Sequence, residues 1–387
     1  MNVCMLSWEF PPRIVGGIAS HCLGLSRSLV SQGCEVHVVT LDFPGAPAEE
    51  NVDGVKVHRV SVETGHPNFL VWTLLFNHFL EKRVADVNAF SRFEIIHSHD
   101  WLTVHAGIAA KHFLAKPLVA TFHSTERGRT QGLSDPDAFT ISGLEWWGIY
   151  EAKRLIAVSH SMADQVCGEY RVPRDKVRVI PNGVDPAQYE IHVDKARVRG
   201  RFGLSEHDRL VLFVGRLVPA KGVEYLISAV PAISRRYPNA RFILVGDGWQ
   251  RKQLEDRARS TGESWRIIFA GFIPTRDVIE LLHAADVLAV PSVYEPFGIV
   301  AVEGMACGVP VVASNVDGLS EVVQHMKTGL HIYPRSPESI EWAVDQVFSN
   351  QNLAREMAYN AKQSVLAKYN WDSVAKETLW VYKEATG

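Results

Sequence analysis

Two glutamates, Glu295 and Glu303, stand eight residues apart in the otherwise apolar stretch PSVYEPFGIVAVEGMACGVPVV. Carboxylates are seldom buried without partners. The run DVLAVPS reads as a strand, YEPFG as a turn, and IVAVEGMACG as a helix starting near Gly298. That arrangement puts Glu303 about one turn inside the helix, near the strand end that carries Glu295. Carboxylates in such places accept hydrogen bonds from vicinal hydroxyls, as the acid of a dinucleotide fold does with ribose. The helix-start amides of Phe297, Gly298 and Ile299 suit a phosphate or sugar oxygen. The plain alternative is a pair of helix-end charges.

Cations occupy a matching place upstream. In FVGRLVPAKGVEYL, Arg216 and Lys221 follow one strand and precede a helix. An arginine fork and a lysine point charge at a strand end suit a diphosphate better than they suit open solvent. Near the N-terminus, PPRIVGGIASH places Gly16 and Gly17 between a strand and a helix, where backbone amides can approach an anion. The spacing is not the GxGxxG of dinucleotide binders, which argues against a dehydrogenase. His97, His99, Asp100 and His105 cluster in HSHDWLTVHAG, and His123 ends the next strand in TFHST. A metal site is one reading. His97 and His99 alternate along a strand end and no cysteine lies near them, so an acid/base or sugar-binding role for Asp100 and His123 is preferred, and no metal is expected. Asp135-Pro136-Asp137 forms a DxD pattern, but it sits in a polar loop and reads as a turn or helix cap.

These residues need a scaffold that gathers strand ends. Short β-branched runs alternate with helix-period runs: NVCMLSW, EVHVVTL, VKVHRV, FEIIHSH, PLVATFH, RLIAVS and VRVIPNG read as strands, with helices between several of them. After a polar segment, IHVDKARVRGRFGLSEHDR, the alternation restarts with LVLFVGRL, RFILVGD, RIIFAGFI, DVLAVPS and VPVVAS. Such alternation implies parallel sheets covered by helices on both faces. The expectation is two doubly wound units: residues 1–185, a linker over 186–206, and residues 207–370. The last segment, 371–387, is a helix able to pack back on the first unit. Ligands bind at the carboxyl ends of such strands, and two facing sheets would make a deep cleft.

The totals narrow the function. At 387 residues two domains are the default. A net charge of −3 disfavours a nucleic-acid binder. The region through Asp185 holds 17 Lys and Arg against 20 Asp and Glu, which gives no support to a basic membrane-facing patch. Five scattered cysteines without CxxC suit reduced thiols in the cytoplasm. The N-terminus lacks a basic n-region and reads as no signal peptide. The apolar stretch Phe69 to Leu80 is too short to span a bilayer, which takes about 20 residues. It reads as a buried helix, with peripheral membrane contact left open.

Taken together, the GG pair, GRLVPAKG, EPFGIVAVE and IPNGVD resemble the retaining GT-B nucleotide-sugar glycosyltransferases of family 4, which include sucrose and trehalose-type synthases and mannosyltransferases. HSHDWLTVHAG is also similar to a segment of glycogen and starch synthases. The resemblance implies an enzyme with no cofactor, moving a hexosyl group, in the first place glucosyl, from a UDP-, ADP- or GDP-sugar to a sugar or α-glucan without a metal. Gly16 and Gly17 would approach the diphosphate, and Arg216 and Lys221 would neutralise it. Glu295 with the Phe297–Ile299 backbone would hold donor-sugar hydroxyls and phosphate, and Glu303 the ribose. The main chain at Ile273 would face the base. His123 would lie beside the donor sugar and Asp100 near sugar or acceptor. Glycogen synthases carry a lysine two residues before their glycine pair. Here Ile14 stands at that place, with Arg13 one position further back.

The chemistry implied is cleavage of a glycosyl–phosphate bond, with fixed cations and amides stabilising the departing charge. The residues nominate no nucleophile, so a front-face route, with the leaving phosphate taking the acceptor's proton, is the expected course. A sugar-nucleotide epimerase is the main alternative, followed by a non-catalytic sugar-nucleotide sensor. A lipid-linked or small-molecule acceptor is also open. Trp72, Trp101, Trp146 and Trp147 are candidates for stacking on sugar rings, though each also reads as core packing.

Overall fold

The computed structural model describes residues 1–65 and 67–387. The chain forms two compact units, Met1–Gly183 with Trp371–Gly387, and Val184–Asn370.

In the first unit the strands are β1 (Asn2–Ser7), β2 (Glu35–Leu41), β3 (Glu49–Val52), β4 (Val55–Val60), β5 (Ile95–His99), β6 (Leu118–Phe122), β7 (Arg154–Ala157) and β8 (Val177–Val179). They lie in the order β3-β4-β2-β1-β5-β6-β7-β8. All pairs are parallel except β3 with β4. Central strands covered on both faces lose the polar alternation of a half-exposed sheet. In β1, Val3, Cys4, Met5 and Leu6 are all fully buried. The antiparallel β3 was not expected. It is joined to β4 by Asp53 and Gly54, both at positive φ, the geometry of a two-residue hairpin turn.

The apolar helix is longer than expected, Phe69–Ser91 rather than about twelve residues. Asn68 caps it by accepting from the Val71 amide at 2.9 Å. The buried stripe Thr73, Phe76, Leu80, Val84 and Val87 continues past Leu80 at helical spacing, with Glu81, Lys82 and Arg83 lying off that stripe. Among the described residues no helix is long and apolar enough to cross a membrane. The DxD segment is a helix start: Asp135 accepts from the Ala138 amide at 2.9 Å and Pro136 opens the helix Pro136–Glu151.

The last helix, Trp371–Thr386, belongs to this first unit. Tyr382 is fully buried in a core with Val3, Met5, Leu25, Val36 and Ile95. Trp371 fits because Gly24 carries no side chain: a Cβ there would stand 2.1 Å from the indole.

The second unit contains β9 (Arg209–Val214), β10 (Ala240–Val245), β11 (Ile267–Gly271), β12 (Val287–Val290), β13 (Val311–Ser314) and β14 (Leu330–Ile332), all parallel, in the order β11-β10-β9-β12-β13-β14. This is the 3-2-1-4-5-6 order of a dinucleotide-binding fold. The polar segment expected as a linker is folded into this unit and carries the helices Pro186–Tyr189 and Lys195–Gly200. The buried Arg199 fixes it, donating to the Ala284 carbonyl at 2.8 and 3.0 Å and to Asp286 at 2.9 Å.

Candidate active site

Strand order reverses between β1 and β5 in the first unit and between β9 and β12 in the second. Such switch points open a crevice at the strands' carboxyl ends. The loop with Gly16 and Gly17 follows β1, and Asp100 follows β5. Arg216 and Lys221 follow β9, and Glu295 follows β12.

In the second unit Lys221 and Glu295 meet directly, Nζ to Oε2 at 2.6 Å. Ser292 donates to the same carboxylate oxygen at 3.1 Å, and the Glu295 amide donates to Asp317 at 3.0 Å. The Ala220 carbonyl accepts from the amides of Val293 and Tyr294, at 2.8 and 3.2 Å, which ties the two loops together. That approach depends on Gly222, at φ 62°, where a Cβ would stand 2.0 Å from the Pro291 carbonyl oxygen. Arg216 is exposed, and among the described residues its guanidinium makes no ion pair. The helix Ile299–Cys307 begins after Gly298, at φ 96°, and has no side-chain cap, so its N-terminal amides are disposed toward an anion. Phe297 is buried beside it.

Glu303, one turn into that helix, accepts from the Tyr189 hydroxyl at 3.1 Å. Burial pushes its carboxyl up to about 7, against the pull of that hydrogen bond. Near neutral pH it is therefore divided between acid and carboxylate. Ile273 follows β11, two strand positions from β9, or ~10 Å at ordinary strand spacing.

The first unit departs further from the sequence reading. The Gly16 amide does not stand open: it donates to Glu9 Oε2 at 2.8 Å, and the Val15 amide donates to the same oxygen at 2.5 Å. Glu9 is almost fully buried. The anion at this loop is thus the protein's own carboxylate, and the expectation that Gly16 offers its amide to a diphosphate is corrected to that extent. Gly17 opens the helix Gly17–Ser31, which has no side-chain cap.

Asp100 and His123 do come together, through the main chain. Asp100 accepts from the His123 amide at 2.6 Å while holding an unusual positive φ of 57°. Burial pushes the Asp100 carboxyl up to about 6; the charge of Arg129 and the amides of His123 and Ser124 oppose that rise. Arg129 is held in turn by the fully buried Glu145 at 2.9 Å, a pair no local motif announced.

Burial also lowers His123, to about 3, and takes His21 and His99 well below the ordinary imidazole range, so all three rings are neutral. His99 Nδ1 and His123 Nε2 lie 3.2 Å apart, and His21 Nδ1 meets Asn182 at 2.7 Å. His21 Nε2 and His99 Nε2 are buried without a hydrogen-bond partner among the described residues. One ring nitrogen from each of His21, His99 and His123 lies within 4.8 Å of the others, a set able to ligate a transition metal. The motif HSHD contributes only His99 to it. His97 is structural, bonded to Tyr382 and to Thr121 at 2.7 Å each, and His105 pairs with Glu81 at 3.0 Å.

Comparison with known proteins agrees with this geometry. Residues 194–364 match the model for glycosyl transferases group 1, and residues 15–188 match that for glycosyltransferase family 4. The chain is 42% identical, over 100% of its length and 98% of the relative's, to the uncharacterized glycosyltransferase MJ1607 of Methanocaldococcus jannaschii. It is 33% identical to a glycogen synthase of Mycobacterium tuberculosis, over 100% of this chain and 95% of that one. Among solved structures, sucrose-phosphate synthase from Thermosynechococcus elongatus superposes with a TM-score of 0.84 at 24% identity, covering 99% of this chain and 98% of that one. With both family models matched and full-length relatives above 30% identity, the chain belongs to the group 1 and family 4 glycosyltransferases, nucleotide-sugar-dependent enzymes of the GT-B fold.

Proposed function

We propose that this glycosyltransferase moves a hexosyl group, in the first place glucosyl, from a nucleoside diphosphate sugar to a carbohydrate acceptor, with retention and without a metal. The observation that carries the reading is the Lys221–Glu295 pair at the switch point of the second unit. A fixed cation stands there beside a carboxylate and an uncapped helix N-terminus. Diphosphate, sugar hydroxyls and phosphate oxygens are the groups such an array recognises.

In the proposed step the bond from the sugar C1 to the diphosphate oxygen breaks, and the electron pair leaves with the diphosphate. Lys221, Arg216 and the first amides of the helix Ile299–Cys307 stabilise that charge. The acceptor oxygen bonds to C1 on the same face, and its proton passes to the departing phosphate oxygen. Glu295 orients the sugar hydroxyls, Glu303 the ribose, and the main chain at Ile273 the base. His123, neutral, hydrogen-bonds the donor sugar without adding charge, and Asp100 fixes the loop that carries it. The name of the glycogen synthase relative supports a glucose unit as the group transferred.

The test is a screen of UDP-, ADP- and GDP-sugars against free sugars, sugar phosphates and glucans, with product configuration read by NMR. The reading expects nucleoside diphosphate release coupled to an α-linked product from an α-linked donor. Inverted product, an isomerised donor without acceptor, or turnover that depends on added divalent metal would overturn it.

A further inference from the structure

The donor chemistry uses one imidazole of the first unit, His123, and leaves its two neighbours unexplained. His21 comes from the helix Gly17–Ser31, His99 from the end of β5 and His123 from just past β6. Three separate elements thus deliver a ring to one point, and one nitrogen from each lies within 4.8 Å of the others. Packing alone does not ask for this, since buried strand ends are ordinarily closed with apolar side chains.

Two ring nitrogens are left over. His21 Nδ1 meets Asn182 Oδ1 at 2.7 Å. That oxygen only accepts, so Nδ1 carries the proton and Nε2 presents a bare lone pair. His21 Nε2 is buried without a hydrogen-bond partner among the described residues, and so is His99 Nε2. Such atoms are few in folded proteins, and each has a cause. A histidine that donates one ring N–H to a fixed oxygen is in the ordinary setting of a metal ligand. His99 Nδ1 and His123 Nε2 already stand 3.2 Å apart. Two nitrogens on a tetrahedral zinc are about 3.3 Å apart, so ring movements of roughly an ångström close the set. His97 is excluded from it, because Tyr382 and Thr121 take both its nitrogens.

The donor set names the ion. It holds three imidazoles, no carboxylate and no thiolate. Imidazoles suit zinc and its neighbours, whereas magnesium and calcium take oxygen and copper(I) takes sulfur. Three protein nitrogens leave a fourth position open. With no anionic ligand to offset its charge, the ion is held reversibly, and a dialysed enzyme is active without it. We infer that His21, His99 and His123 form a zinc-binding site, and that zinc bound there inhibits glycosyl transfer by holding His123 away from the donor sugar. The site stands on the geometry alone. The inhibition rests on the glycosyltransferase reading, in which His123 meets the donor and the reaction itself needs no metal.

Metal binding is measured without turnover. Untagged, chelator-dialysed protein is titrated with Zn²⁺ by calorimetry and with Co²⁺ by visible spectroscopy, beside Mg²⁺ as control. The wild type should take up one zinc that His21→Gln does not, show the strong visible bands of tetrahedral cobalt, and leave magnesium unbound. Asn182→Leu removes the acceptor that orients His21 and should weaken zinc by about 10- to 100-fold, whereas Asn182→Asp, which still accepts from Nδ1, should hold it at least as well as wild type. Zinc should also raise the melting temperature of the wild type and of Asn182→Asp, a readout that shows each variant to be folded. Equal zinc binding by wild type and His21→Gln, an octahedral cobalt spectrum, or zinc affinity untouched in Asn182→Leu overturns the site. In transfer assays zinc should lower the wild-type rate, EDTA should restore it, and the rate of His21→Gln should be the same with and without zinc. If zinc binds at the three histidines and the wild-type rate does not fall, the inhibition is overturned. If no donor yields nucleoside diphosphate with any acceptor, the enzyme reading falls by that separate measurement, and calorimetry and the cobalt spectrum still decide the site.

Discussion

Replacing Glu303 with glutamine should stabilise the ligand-free protein and weaken donor binding at once. Burial lifts the Glu303 carboxyl from an ordinary 4.5 to about 7. At about 1.4 kcal/mol per pH unit, that displacement corresponds to roughly 3 kcal/mol. Water reaching the partly exposed side chain reduces it to about 2–3 kcal/mol. The folded state resists ionisation here, and the unfolded chain ionises at the ordinary value. The penalty is therefore absent below about pH 4.5, grows as pH rises toward 7, and stays constant above it. Glutamine cannot ionise, yet its amide oxygen still accepts from the Tyr189 hydroxyl, so the contact made at 3.1 Å is kept. Thermal unfolding of both proteins from pH 4.5 to pH 8, followed by circular dichroism, should show coincident stability at the acid end. At pH 8 the Glu303→Gln variant should melt about 5–10 °C higher, at ~2–4 °C per kcal/mol for a unit of this size. In the same pH range the wild-type donor KM should fall as pH rises through 7, because ribose hydroxyls donate to a carboxylate better than to an acid. The variant's KM should be higher and flat. Parallel melting curves across the pH range, or a variant less stable at pH 8, would refute the assignment of Glu303 as a carboxyl strained by burial.

Removing the fixed cations attacks the leaving-group charge. Lys221→Ala and Arg216→Ala should each lower kcat by about 10²–10³, the usual effect of losing one electrostatic donor, and unchanged steady-state kinetics would exclude them from the site. Chelation tests the metal-free proposal: dialysis against EDTA and then 1,10-phenanthroline should leave the rate of nucleoside diphosphate release as it was. Loss of turnover, restored by zinc and abolished again in a His21→Gln variant, would move the chemistry to the trio His21, His99 and His123.

Parts of the fold that depend on local pattern were legible. The apolar runs of β1, β2 and β5 and the restart of alternation at β9 follow from strands buried on both faces. The stations after those strands, from Arg216 to Glu303, stand out because charged residues interrupt apolar runs. The hairpin of β3 was missed although Asp53-Gly54 is a strong turn signal, because Glu49 and Glu50 make an edge strand look like loop. The polar segment after residue 185 looked like a linker for a similar reason: Arg199 is charged, and partners as distant as the Ala284 carbonyl and Asp286, 85 and 87 residues away, explain its burial. Distance in sequence hides the rest. Asn182 meets His21 across 161 residues, and Tyr382 meets His97 across 285. Glu9 could have been suspected, since an acid a few residues before a glycine-rich helix start is well placed to cap it.

The two switch points share a logic that neither shows alone. Buried cations and amides are rarely left unsatisfied. In each unit some of the groups that would bind an anion hold a carboxylate of the protein instead: Glu9 on the amides of Val15 and Gly16, and Glu295 on Lys221. At Lys221 an arriving diphosphate replaces one anion by another, so the exchange is less costly than uncovering a bare ammonium group. It also frees Glu295 Oε2, which Lys221 and Ser292 otherwise occupy, to accept sugar hydroxyls. Phosphate binding and sugar binding are coupled through that one side chain. Glu295→Gln breaks the coupling in a recognisable way. A neutral amide competes weakly for Lys221, so the nucleoside diphosphate alone should bind more tightly than to wild type, while the intact sugar nucleotide gains less and turnover falls. Calorimetric titration with UDP, ADP and GDP, each beside its glucosyl or mannosyl ester, separates the two effects. If the variant weakens the bare nucleotide as much as the sugar nucleotide, Glu295 is not the internal stand-in for phosphate on Lys221.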